Sequence, residues 1–118
     1  MRPQVGQIDC IEFPGMDRFT LDQLRDFYGA SFGWKFQVWN KDYVDTACSG
    51  VRTGFDASPE DAVRQPMVVI YAEDLEKTLM DVEAAGGTIS RHIFPFPGGR
   101  RFHFFDPAGN ELAVWSSA

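Results

Sequence analysis

Few residues in this chain can do chemistry. Cys10 and Glu12 lie two apart in Ile8-Asp9-Cys10-Ile11-Glu12-Phe13, so a strand would point both to one face, away from Ile11 and Phe13. A thiol there could be a nucleophile and the carboxylate a general base. The plainer reading is a small buried thiol beside a rim carboxylate. His103 stands between Phe102 and Phe104. Its imidazole titrates near neutrality, which makes it either an acid–base candidate or a part-buried side chain with a backbone partner. His92 reads as a surface residue. Arg100 and Arg101 follow Pro97-Gly98-Gly99. Such a loop could close guanidiniums over a carboxylate through bidentate hydrogen bonds; otherwise they are ordinary surface cations. Trp39, Phe94, Phe96 and Trp115 could stack on a flat ligand or form a dimer contact. No residue is singled out as catalytic: Glu12, His103 and Cys10 are the candidates.

The 118 residues suit one domain, 1–118. Net charge is −6, which repels phosphate backbones and argues against nucleic-acid partners. Two cysteines do not make a disulfide scaffold, and reduced thiols point to a cytoplasmic protein. No apolar run is long enough to span a bilayer, so no membrane partner is expected. No apolar stretch follows Met1-Arg2-Pro3-Gln4, so no secretory signal is expected. Eleven phenylalanines are unusual at this length and imply a full core, a greasy pocket or an interface.

These residues need elements to hold them. Residues 5–13 read as a strand closed by Pro14-Gly15. Thr20 reads as an N-cap with Gln23 as its capping-box partner, and Leu21, Leu24, Phe27 or Tyr28, and Phe32 recur at helical spacing up to the Gly33 stop. Phe27, Tyr28, Phe32 and Leu24 are assigned to the core. Strands follow at 34–39, 43–48 and 51–55, then a polar connector at 56–65. The pattern then repeats. Residues 67–72 are a strand, Asp74 caps a helix carrying Leu75, Leu79 and Val82, and Gly86-Gly87 stops it. Strands follow at 88–93, 100–105 and 111–115. The stretch 94–99 reads as a loop because its two prolines remove ladder donors, and 106–110 reads as a tight turn. A period of about 55 residues marks a duplication. It defines an α+β fold of two βαβββ modules, about 5–56 and 66–116, forming an open cleft or partial barrel.

This arrangement resembles the vicinal oxygen chelate superfamily of glyoxalases, bleomycin-resistance proteins and extradiol dioxygenases. Ile8 to Phe13 looks like its opening strand, and Phe27-Tyr28 with Phe32-Gly33-Trp34 is similar to its "FY…FGW" helix end. Asp74-Leu75 with Glu83 to Gly87 looks like its second helix, and Asp106-Pro107-Ala108-Gly109-Asn110 is similar to its "DP-x-GN" turn. Metal-dependent members gather His, Gln or Glu from the first and last strands of each module. Carried over, those positions are Cys10, Val68, Ala113 and one near Val51 to Phe55, where no His or carboxylate stands. Val and Ala have no lone pair to give, and a catalytic ion needs about three protein donors. No intrinsic metal or other cofactor is therefore expected.

The resemblance implies a cleft lined by Cys10, Glu12, Trp39, Val68, Ile70, Arg101, His103, Ala113 and Trp115. The expected function is binding of a small, partly aromatic or carboxylated molecule without a metal. The alternative is a lactoylglutathione-lyase-like lyase, an isomerase or a dioxygenase. It would use a displaced divalent metal, or metal-free acid–base catalysis by Glu12 and His103. A third reading is an interaction module whose cleft is filled by side chains. A homodimer is implied by the resemblance.

Overall fold

Ten elements follow one another: β1 (Ile8–Pro14), α1 (Arg18–Phe32), β2 (Gln37–Asn40), β3 (Tyr43–Thr46), β4 (Arg52–Asp56), β5 (Met67–Tyr71), α2 (Leu75–Ala84), β6 (Thr88–Phe96), β7 (Gly99–Phe105) and β8 (Glu111–Ser116). The order is βαβββ twice, an α+β fold. The computed structural model describes residues 3–60 and 62–118. Met1 and Arg2 of the expected N-terminus and Asp61 of the expected connector lie outside them. No helix among the described residues is long and apolar enough to cross a membrane.

Contacts divide the chain into two units, Cys10–Met67 and a second made of the N-terminal residues up to Asp9 with Val68–Ala118. In the first, the strand order is β2-β3-β4-β1, with β1 parallel to β4. Leu21, Val44, Phe55 and Ala57 form its core, packed by Phe13, Leu24, Tyr28 and Phe36. In the second, the order is β5-β8-β7-β6, with β5 parallel to β8. Its core is Ala72, Leu75, Leu79, Phe102 and Val114 under α2. The N-terminal residues join this second unit through Gly6 N donating to Tyr71 O (2.8 Å) and Tyr71 N donating to Gln7 O (3.1 Å).

Helix α1 begins earlier than the spacing predicts. Asp17, not Thr20, is the N-cap: its carboxylate accepts from Thr20 N at 2.8 Å, which satisfies one of the orphan donors of the first turn. That bond holds the Asp17 carboxyl below the usual carboxylate range. A group so depressed contributes stability above its unfolded pKa and loses it as pH falls. Asp17→Ala is therefore expected to lower the urea midpoint clearly at pH 7 and much less at pH 3, read by circular dichroism. At the other end, Gly33 adopts φ 72° and closes the helix, as a left-handed C-terminal residue should.

The core assignment of α1 needs correction. Leu24 and Tyr28 do pack inward, but Phe27 is 57% and Phe32 64% exposed. Phe27 stands about a quarter-turn off the stripe of Leu21, Leu24 and Tyr28. Phe32 is the last helical residue, and its ring meets Tyr28 and Trp34 instead, at 6.1 and 6.0 Å. The expected loop at 94–99 is also corrected. Strand β6 runs through Pro95 to Phe96, pairing with β7 as far as Phe96↔Gly99. As the edge strand of its sheet, β6 can carry a proline whose missing N–H faces away from the ladder.

Candidate functional site

The residues expected to line a site fall into two groups, one in each unit. In the 10–67 unit, Cys10 and Glu12 are both buried and lie on the strand face opposite Phe13, which packs into the α1 core. Register places Cys10 beside Arg52 and Glu12 beside Gly54, and Gly54 beside Asp45. Asp45 ties this face together: it accepts from Trp39 Nε1 at 2.8 Å and from Arg52 Nη1 at 3.1 Å. Tyr43 lies over Gly54, where any Cβ would run into its hydroxyl. Burial pushes the Tyr43 phenol well above its ordinary pKa, reinforced by the nearby Glu12 and Cys10. Tyr43, Asp45 and Arg52 were not anticipated; the alternation of Tyr43 and Asp45 across Val44 is the sequence signal that could have found them. Trp39 is largely exposed apart from its indole bond.

In the second unit, register aligns side chains into rows across the sheet face that α2 does not cover. One row is Tyr71, Trp115, Arg101 and Phe94; the next is Val69, Ala113, His103 and Arg91. Arg101 is 8% and His103 7% exposed, and Ala113 is fully buried. Arg101 Nε donates to His103 Nε2 at 3.1 Å. The Phe94 ring meets His103 edge-on, centroids 5.6 Å apart, and the Arg91 guanidinium lies over the same ring at 3.5 Å. Tyr71 and Phe96 both pack edge-on against Trp115, whose indole N–H donates to Asp9 at 2.9 Å. An open depression of about 430 Å³ adjoins Trp115 and Tyr71, bounded also by Pro3, Gln4 and Ser117.

Arg91 and Phe94 share a face because β6 bulges. Three steps along β6 match two along β7, and a second irregularity precedes Arg91. A bulge re-aims side chains in this way, and plain alternation could not have revealed it. Glu111, whose carboxylate lies 4.0 Å from His103 Nδ1, and Ser90, which donates to that carboxylate, were likewise missed. Two expected lining residues are corrected. Val68 and Ile70 pair with Leu112 and Val114, and Val114 belongs to the α2 core. They therefore sit on the helix side, and Val69 and Tyr71 take the open-face positions. Arg100 also departs from the paired clamp. Its guanidinium bonds Glu76 on α2 (Nη2 to Oε1, 3.0 Å) and the Ala118 carbonyl. His92 is exposed, as the sequence suggested.

With the geometry established, the chain can be placed. The sequence profile of the Glyoxalase/Bleomycin resistance protein/Dioxygenase superfamily matches residues 19–114, and the chain belongs to this superfamily. No curated protein matches it. Among solved structures it is similar to a protein described as NAD-dependent benzaldehyde dehydrogenase from Legionella pneumophila (TM-score 0.75, 12% identity, covering 91% of this chain and 96% of that one). It is also similar to a hypothetical protein from Bacillus halodurans C-125 (0.68, 12%, 93% and 93%) and to a methylmalonyl-CoA epimerase from Streptomyces coelicolor (0.62, 17%, 98% and 96%). At these identities the likeness is one of fold, and one fold hosts many chemistries.

Metal-dependent members of this superfamily gather oxygen and nitrogen donors around a divalent ion. Cys10 offers one soft sulfur with the cation Arg52 as its register neighbour. Val69 and Ala113, on the open face of β5 and β8, offer no lone pair. Hard divalent ions need several oxygen or nitrogen donors. Among the described residues, no three His, Cys, Asp or Glu side chains gather closely enough to hold an ion. The residues at these positions do not fit such a metal.

Proposed function

We propose that this chain binds a small aromatic or conjugated carboxylate, without a metal, on the open face of β8 and β7. The observation that carries the reading is the row Tyr71, Trp115, Arg101 and Phe94: a buried guanidinium flanked on both sides by rings. Rings supply area and stacking for a flat ligand, and a guanidinium supplies directional, charge-assisted hydrogen bonds to its carboxylate. The low exposure of Arg101 supports a strong interaction, because little water competes there. The donor chemistry described above supports binding without a metal. Two thiols outside any disulfide, Cys10 and Cys48, suit a cytoplasmic setting, and the homodimer implied by family resemblance belongs to the same reading.

Calorimetry with benzoate and with the neutral isostere benzamide tests the proposal. Benzoate is expected to bind and benzamide to bind far more weakly. Arg101→Leu, checked for folding by circular dichroism, is expected to weaken benzoate about tenfold to a hundredfold, the worth of a charged hydrogen bond. Equal affinity for the two probes sinks the carboxylate reading, and stoichiometric metal in protein purified without a metal-affinity tag sinks the metal-free one. A second reading has its own observation. His103 Nδ1 lies 4.0 Å from a Glu111 carboxylate oxygen, an arrangement that could orient an imidazole for acid–base catalysis in an isomerase or lyase.

A further inference from the structure

Arg101 and His103 already touch, and the direction of their bond constrains the proton. Because Nε of Arg101 can only donate, Nε2 of His103 must be the acceptor at 3.1 Å. The neutral imidazole then carries its hydrogen on Nδ1, on the side of the Glu111 carboxylate at 4.0 Å. Ser90 Oγ donates to that same carboxylate oxygen at 2.7 Å and orients it. Charged groups that face the imidazole within this unit include Arg101 on its own strand, Arg91 in register on β6, and Glu111 on β8. Phe94 on β6 and Ala113 on β8 also lie beside it and carry no charge. The adjacent guanidiniums of Arg101 and Arg91 repel a further positive charge on the imidazole, and a ligand carboxylate offsets that repulsion.

Resting on the carboxylate reading above, we infer that His103 is the second cation of that site, and that a carboxylate ligand binds together with one proton. The proton comes from solvent and adds to Nε2. Arg101 Nε–H, its acceptor now lost, turns to the ligand carboxylate, which lies between guanidinium and imidazolium. The Nδ1–H stays on the Glu111 side. Only the N–H bond forms, and no other covalent bond changes. Linkage is reciprocal: the ligand favours the proton, and the proton favours the ligand. Affinity is therefore highest at low pH and falls as pH rises through the imidazole range.

The test is calorimetry of the full chain with benzoate from pH 5.5 to 8, in two buffers of different ionisation enthalpy. Above about pH 6.5, affinity is expected to fall about threefold to tenfold per pH unit, with uptake approaching one proton per ligand. His103→Gln keeps an acceptor for Arg101 but cannot take the proton, so its affinity is expected to be flat with pH. Benzoate binding that is flat in the unaltered protein, or that keeps the same slope in His103→Gln, overturns this inference and leaves the carboxylate site standing. No benzoate binding at any pH overturns both. If His103→Gln does not fold, imidazole 15N resonances of the unaltered protein decide. Benzoate at pH 7 should convert Nε2 of His103 from bare to protonated nitrogen while exposed His92 stays unchanged, and no change at His103 overturns the inference.

Discussion

Phe102→Ala is expected to cost about 3–5 kcal/mol of folding stability, the most damaging single truncation in the β5-to-β8 unit. Phe102 is completely buried. It packs with Ala72, Leu75, Leu79 and Val114, backed by Val82, Ile89, Ile93 and Phe104, so its ring lies between the sheet and α2. The side chains around it already pack α2 against the sheet, so the gap cannot close without moving the helix and most of the cavity persists. Against a total stability of about 5–15 kcal/mol, this is a large fraction. Function should suffer with it, because Arg101 and His103 flank Phe102 on β7 and face the other way. Urea unfolding measures the loss. Phe102→Leu should lose less than half as much, and equal losses for Leu and Ala would mean that the ring is not filling the space between sheet and helix.

Gly54→Val carries the second large effect, about 3 kcal/mol from overpacking. A Cβ on Gly54 would collide with the Tyr43 hydroxyl and lie 2.7 Å from the ring carbon bearing it. Both flanking strands constrain the site, since Gly54 pairs with Glu12 on β1 and with Asp45 on β3. An aromatic ring is stiff, so it cannot fold away from the intruding methyls as a long aliphatic chain could. The attribution is checked by a double-mutant cycle. Tyr43→Ala removes the obstacle, so the Gly54→Val/Tyr43→Ala pair should cost about 1–3 kcal/mol less than the two losses added together. Strict additivity would show that the damage comes from contacts other than Tyr43.

The helices, the duplicated order and most strands were legible because they rest on short-range signals: 3.6-residue spacing, capping residues, glycine stops and alternation. Faces were less secure, because a face is set by partners distant in sequence. Counting back from Asp74 put Val68 and Ile70 on the open side. The parallel pairing of β5 with β8 sets the parity instead, matching Val69 with Ala113. The same limit hid the bulges of β6, which bring Arg91 and Phe94 to the face of His103 and Arg101. Pro95 misled for another reason, since whether a proline is tolerated depends on the strand being at an edge. Phe27 misled because it stands about a quarter-turn off the Leu21, Leu24 and Tyr28 stripe, and Phe32 because the helix ends there and its ring turns to Tyr28 and Trp34. In the candidate site, Arg101, His103, Ala113 and Trp115 could be read from the alternation of β7 and β8. Tyr71, Glu111, Ser90 and Asp45 could not be assigned roles, since those depend on bonds reaching to other strands.

The attachment of the N-terminal residues to the second unit has a consequence for the order of assembly. Cys10–Met67 is one uninterrupted stretch, so every contact inside it is available once residue 67 has been synthesised. The residues before Cys10 must wait. Their partners are Tyr71 and, across 106 positions, Trp115, both made only after the Cys10–Met67 stretch is finished. Closing so long a loop is entropically costly and slow compared with local pairing. During vectorial synthesis the stretch before Cys10 therefore settles later than the Cys10–Met67 unit, together with the strands that follow that unit.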